Sequence, residues 1–326
     1  PQTRLRRLRQ NSNLRRLINE TNLSVDDLVY PLFIKAGLEK REEISSMPGQ
    51  YQLPLAELKN EAQQIVSLGI PAVMLFGIPA HKDSQGSDSC SKQGIMQHAI
   101  AEIKSATPEL LVISDICMCE YTDHGHCVIL SNHDNKMRID NDATLEQLQQ
   151  QVISHAQAGS DIMAPSGMID GMVSAIRQEL DQHNFTMIPI LSYAVKYASC
   201  YYDPFRQAAE GAPPFGDRRD YQLNPANSRE GMREVAVDID EGADMVMVKP
   251  ALSYLDMIQR ISYRHHDIPV AAYSVSGEYA MIKAAAAQGW LDEATTMFET
   301  TLSMKRAGAD FIITYFAKTL AKQLSN

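Results

Sequence analysis

Glu241-Gly-Ala-Asp-Met-Val-Met-Val-Lys249 decides the fold, because its pattern returns in Ala158-Gly-Ser-Asp-Ile-Met163 and in Ala307-Gly-Ala-Asp-Phe-Ile312. In each, a glycine suited to left-handed backbone closes an amphipathic stretch, and an apolar run follows at once: a helix end turning into a strand. Gly69, Gly159, Gly242 and Gly308 are the expected helix C-caps. Working outward, eight short apolar runs recur, at 30–34, 72–77, 110–115, 162–165, 187–192, 245–249, 270–274 and 311–315. Their near-continuous hydrophobicity marks strands buried on both faces. Amphipathic stretches at 55–68, 145–158, 171–180, 229–241 and 290–307 separate them. No dinucleotide glycine fingerprint follows any strand, so the expectation is α/β, a (β/α)8 TIM barrel with an extended N-terminal arm.

The chain of 326 residues, 44% apolar and 21% charged, is long enough for one large core. No linker or composition shift divides it, so 26–326 is expected to be a single catalytic domain. The irregular stretch 201–227 is expected to be a lid. Net charge of −10 argues against a general nucleic-acid or anionic-membrane partner, since phosphate binding needs a positive excess. No apolar run approaches membrane-spanning length, and no signal-peptide pattern appears; a cytoplasmic location is expected. Five cysteines, with three clustered, fit a reducing compartment and a metal rather than a disulfide framework. Residues 1–25 carry Arg4, Arg6, Arg7, Arg9, Arg15 and Arg16 before the first acid, Glu20. A transit peptide and a nucleic-acid arm are the alternatives; an arm packing on a second, acidic copy of the chain is preferred.

Catalytic groups of such barrels sit at the carboxyl ends of the strands. There the chain offers Asp115, Cys117 and Cys119 after the third run, Ser166 after the fourth, Lys196 after the fifth, Lys249 ending the sixth, Ser276 after the seventh and Tyr315 in the eighth. If 115–119 is strand, Asp115, Cys117 and Cys119 share one side. With Cys127 they make a three-thiolate set suited to a tetrahedral zinc with one open position; a closed structural site completed by His124 or His126 is the other reading. A lysine behind four apolar residues loses hydration, and a second lysine on the next strand lowers its pKa further, so Lys249 is expected to attack carbonyl carbon and form a Schiff base. Snorkelling, or pairing with Asp115, is the alternative for either amine. Arg206, Arg218 and Gln222 either clamp a carboxylate or belong to a solvated loop.

Several separate motifs resemble the zinc-dependent delta-aminolevulinic acid dehydratase (porphobilinogen synthase) family: the Cys117/Cys119/Cys127 loop with His-Gly-His, Lys196-Tyr-Ala-Ser, Pro204-Phe-Arg, Gly216-Asp-Arg, Met247-Val-Lys-Pro, Val275-Ser-Gly-Glu and Arg306-Ala-Gly-Ala-Asp. The resemblance covers almost the whole chain. It implies condensation of two 5-aminolevulinate molecules to porphobilinogen, for tetrapyrrole and heme biosynthesis. Lys249 and Lys196 then match the Schiff-base lysines, and Ser276 and Tyr315 the binders of the first substrate's carboxylate. Arg206, Arg218 and Gln222 match the binders of the second carboxylate. Cys117, Cys119 and Cys127 match the ligands of a catalytic Zn2+, Asp115 and Ser166 the polar groups that assist proton transfer or hold the amine. Phe76, Tyr193, Tyr202 and Phe205 fit as pocket walls. The resemblance also implies a homo-octamer built from arm-exchanging dimers and an allosteric Mg2+ at Glu234, for which an ordinary helix-surface ion pair is the alternative. Val128 stands where glycine is usual in the family, Asp203 stands where glycine is common, and 131–140 is insertion-like.

Overall fold

The computed structural model describes residues 2–133, 136–211 and 217–325. Pro1, two residues of the insertion-like stretch and 212–216 of the expected lid, with Pro213, Pro214 and Gly216, lie outside the described residues. Eight parallel strands form the barrel: β1 Leu28–Lys35, β2 Ala72–Ile78, β3 Leu111–Ile116, β4 Ile162–Pro165, β5 Leu191–Lys196, β6 Met245–Lys249, β7 Val270–Ser274 and β8 Phe311–Thr314. Their order around the sheet is β4-β3-β2-β1-β8-β7-β6-β5. A parallel bridge between Met163 and Ile190 spans the remaining seam between β4 and β5.

The helices around it are α1 Leu58–Ser67, α2 Ile95–Ala106, α3 Asn141–Ala158, α4 Met172–Gln182, α5 Arg229–Asp240, α6 Leu255–Arg264, α7 Ser276–Ala287, α8 Glu293–Ala307 and α9 Ala317–Leu324. Gly159 and Gly308 follow α3 and α8 at φ 104° and 113°, as the repeated motif requires. The aspartate of that motif has its own task. Asp161 accepts from the backbone N–H of Val112 (2.8 Å), Asp244 from Ile190 (2.8 Å) and Asp310 from Val270 (2.7 Å). Each carboxylate therefore ties the start of one strand to the next strand's beginning.

Alternation along the strands divides the apolar interior. On β6, Met247 joins one buried cluster with Tyr193, Ala271, Tyr273 and Ile313, while Val246 and Val248 join a second with residues of α4, α5 and α6. Both faces of the sheet are thus dry, which is why the strand sequences read as unbroken apolar runs.

Three local expectations are corrected. The fifth strand lies at Leu191–Lys196, not 187–192: Pro189 has no N–H to give a ladder, and Met187 is 90% exposed. β3 ends at Ile116, so Cys117 and Cys119 lie beyond the strand rather than on it. Ser276, which the sequence Ser-Gly-Glu suggests as a helix cap, is the first residue of α7 and not its cap, a task done by Glu278, which accepts from the Val275 N–H at 2.7 Å. The insertion-like stretch belongs to an antiparallel hairpin, Ile129–His133 with Lys136–Asp140. The N-terminal segment forms a short turn at Leu5–Leu8 and a helix at Ser12–Leu17, neither with a buried residue. No helix among the described residues is long and apolar enough to cross a membrane.

Candidate active site

Lys196 and Lys249 are the last residues of β5 and β6 and stand opposite one another in register. Both are 5% exposed, which disposes of the snorkelling alternative. The Lys249 Nζ sits among the rings of Tyr273 (4.2 Å), Phe205 (5.0 Å), Tyr193 (5.2 Å) and Tyr202 (5.4 Å). Burial, reinforced by the neighbouring Lys196, lowers its pKa to about 7. The rings offset part of that penalty through their negative faces. Lys196 donates to the Ser166 carbonyl at 2.6 Å, and the Ser166 hydroxyl donates to Asp115 Oδ2 at 3.0 Å. Burial, with Glu120 close by, pushes the Asp115 carboxyl up to about 7.

Immediately past β3 the chain turns at Met118, whose carbonyl accepts from Tyr121 (3.0 Å) and Thr122 (2.9 Å). The turn brings Cys117, Cys119 and Cys127 together, all buried, with their Sγ atoms within 4.8 Å of one another. Hydrogen bonds from Cys117 and Cys119 hold Cys127 well below the ordinary thiol range, and Arg218 adds to this. Hydrogen bonding to Cys117 and Cys127 pushes Cys119 the other way. Three thiols crowded in this manner cannot all ionise unless a cation joins them, so the donor set fits a soft divalent metal. The imidazoles stay outside this cluster: His124 Nδ1 accepts from the His126 N–H (3.2 Å) and His126 Nδ1 meets the Tyr221 hydroxyl (3.3 Å). Gln151 donates to the Cys117 carbonyl at 3.1 Å, and Arg218 donates to the carbonyls of Gly125 (2.8 Å) and Gly211 (2.7 Å). Arg218 thereby fastens its own segment to the thiol loop.

Arg206, Arg218 and Gln222 line one cavity of about 250 Å³. The Nε atoms of both arginines and both amide atoms of Gln222 are buried without a partner. Orphaned donors of this kind, two of them cationic, are of the type a carboxylate satisfies. A second cavity of about 10 Å³, room for one water, is lined by Asp115, Cys119, Glu120, Ser166, Lys196, Arg218 and Lys249, with Phe76, Tyr202 and Phe205 as walls. Arg218 borders both.

Two expected residues stand back from that cavity. Ser276 accepts from the Phe205 N–H (2.9 Å) and donates to the Tyr201 carbonyl (3.2 Å). Tyr315 shares a hydrogen bond with the Tyr273 hydroxyl at 3.2 Å. Gly277 explains how that turn comes so near: a Cβ there would meet Tyr201 O at 2.6 Å and Tyr201 Cα at 2.7 Å. Glu234 lies elsewhere, in an acidic cavity of about 330 Å³ with Asp170, Asp220, Glu230 and Asp238. The sequence reading missed Glu120, which reaches within 4.8 Å of Asp115 and Cys117. Its only signal was an acid set directly beside a metal-binding thiol.

A desolvated amine pair, three thiols that could hold a metal ion and two buried arginines with unpartnered donors lie on one rim. A sequence profile of the delta-aminolevulinic acid dehydratase family matches residues 2–323. Relatives described as delta-aminolevulinic acid dehydratase include one from Synechocystis sp., 55% identical over 100% of this chain and 99% of its own. Another, from Halalkalibacterium halodurans, is 53% identical over 99% of this chain and 97% of its own. The crystal structure of delta-aminolevulinic acid dehydratase (porphobilinogen synthase) from Toxoplasma gondii, in complex with the reaction product porphobilinogen, superimposes with a TM-score of 0.96 at 42% identity, covering 99% of this chain and 92% of that one.

Proposed function

Because the chain belongs to the delta-aminolevulinic acid dehydratase family, whose members are hydro-lyases, we propose that it condenses two 5-aminolevulinate molecules to porphobilinogen, the pyrrole precursor of heme. The observation that carries this reading is the meeting of Lys196, Lys249, Cys119 and Arg218 around one cavity. Joining two copies of one substrate needs two unlike subsites, and an amine half beside a metal-and-arginine half supplies them.

Neutral Lys249 attacks the ketone carbon of the first substrate; the carbonyl oxygen leaves as water and an imine remains. Lys196 holds the second amine position beside it. Tyr315, acting next to Tyr273, and Ser276, acting through the Tyr201 to Phe205 turn, serve the first substrate's carboxylate. Arg206, Arg218 and Gln222 receive the second carboxylate on their unpartnered atoms. Asp115, with Ser166 fixing one oxygen, accepts and returns protons near neutral pH. Cys117, Cys119 and Cys127 would hold zinc, which when bound supplies Lewis-acid polarisation on the side of the second substrate. Glu234 and its acidic neighbours would hold Mg2+ as a regulatory ion. The exposed Leu5, Leu8 and Leu17 suit an arm, residues 1–25, that packs on another copy within a homo-octamer. Five free cysteines fit a reducing, cytoplasmic setting.

Borohydride reduction in the presence of 5-aminolevulinate, followed by peptide mapping, tests the reading. Label is expected on Lys249. Label confined to other lysines, or none in a preparation that forms porphobilinogen, would count decisively against it.

A further inference from the structure

Glu278 lies in the first turn of α7 and is 2% exposed, and both of its carboxylate oxygens take backbone donors. Oε2 accepts from the Val275 N–H at 2.7 Å, the ordinary work of an acid at the third position of a helix. Oε1 does something no cap requires. It reaches across to the turn that follows β6 and accepts from the Leu252 N–H at 2.7 Å. A cap alone could be made by an exposed side chain at the helix end. Burying a charge is unfavourable by itself, and here the burial accompanies two charge-assisted bonds to two different turns.

The second bond closes a circuit of contacts that begins and ends at Lys249. Leu252 follows the lysine closely in the chain, and Glu278 ties it to Val275, the neighbour of Ser276. The Ser276 hydroxyl accepts from the Phe205 N–H (2.9 Å) and donates to the Tyr201 carbonyl (3.2 Å). Between those two residues, Tyr202 donates its hydroxyl to the Lys249 carbonyl at 3.0 Å, and the Tyr197 N–H bonds the same oxygen at 2.9 Å. Glu278, Ser276, Tyr202 and Lys249 are all buried. A closed ring of short bonds to backbone leaves little slack, so the place of the amine and the place of Ser276 are set together.

We propose that Glu278 is a positioning residue that holds the turn after Lys249 against the turn carrying Ser276, and so fixes the span between the attacking amine and the seat of the first substrate's carboxylate. This rests on the function proposed above and adds to it the group that fits the site to the length of a 4-keto acid. Glu278 does not line the cavity of the two lysines, so its effect passes through Lys249 and Ser276.

Glu278→Gln keeps the size but converts one oxygen to an amide group that cannot accept, which releases one of the two turns. Two ketones with the same five-carbon chain read the span: levulinate, which carries the carboxylate, and 2-pentanone, which lacks it. In the wild type, borohydride trapping on Lys249 should run at least about tenfold faster with levulinate; the variant should lose most of that ratio while its trapping of 2-pentanone stays within about threefold of wild type. A residue that merely caps the helix would lower the melting temperature and leave the ratio where it was, and that result would overturn the assignment. An equal fall in trapping of both ketones would overturn it too, since it would put the effect on the amine's reactivity and not on the span. A wild type that traps neither ketone on Lys249, or both equally, would instead overturn the reading of the site on which the proposal rests. Should Glu278→Gln not fold, Glu278→Asp, one methylene short of reaching both turns, is expected to lose at least about threefold of the ratio, and an unchanged ratio there counts equally against the proposal.

Discussion

At the scale of single residues, Lys249 sets the pH dependence. Lowered from 10.5 to about 7, its amine is roughly half neutral at pH 7, on the order of a thousandfold more than an exposed lysine would be. The reactive form is the neutral one, so it accumulates as pH rises through 7 and is lost as pH falls below it. Single-turnover trapping of substrate should climb about fivefold to tenfold between pH 6 and pH 8 and then level off; a flat profile would mean that burial leaves the amine charged. Sequence made this lysine legible because four apolar residues precede it and Lys196 stands at the next strand end. It left Glu120 illegible, because one acid in a loop has no period to mark its face, and only the turn at Met118 carries it into the cavity. Ser276 and Tyr315 are expected from the resemblance to bind the first substrate's carboxylate, and their setback from the cavity depends on the packing of Tyr201, Phe205 and Tyr273, which no motif spells out.

At the scale of elements, strands buried on both faces read almost letter for letter, since every residue of β2 is apolar or glycine and all are buried. β5 is the instructive miss. Ser192 looked like the end of an apolar run, but its hydroxyl donates to Asp238 at 2.5 Å and continues inside the sheet at no polar penalty. The repeated Gly-X-Asp corner shows how little side chain is needed to set a strand in place. Asp161→Ala would leave the Val112 N–H without its 2.8 Å acceptor and release Lys104, which pairs with the same carboxylate at 2.9 Å. Chemical denaturation should record a loss of about 1–3 kcal/mol with little change in KM, because the corner lies at the strand starts, opposite the catalytic rim. A loss confined to KM would mean that the corner serves the site rather than the barrel.

For the whole molecule, the decisive relation is between the three-thiol cluster and the two apolar clusters. Cys117, Cys119 and Cys127 pack with one another and with Tyr221, apart from the clusters that hold sheet to helices. Their loop is anchored independently of any ion, by Gln151 on the Cys117 carbonyl and by Arg218 on Gly125. Taking away a bound cation therefore leaves thiols that can reprotonate inside an intact barrel, unlike a small metal-nucleated domain whose ion is its core. A strong chelator should cut porphobilinogen formation by about a hundredfold or more while far-UV circular dichroism stays unchanged and the melting temperature falls by only a few degrees, since the thiol loop keeps its own hydrogen bonds. Zinc returned to the same sample should restore the rate. Unfolding on chelation would show that the ion is structural, and undiminished turnover would leave the lysines to act without it.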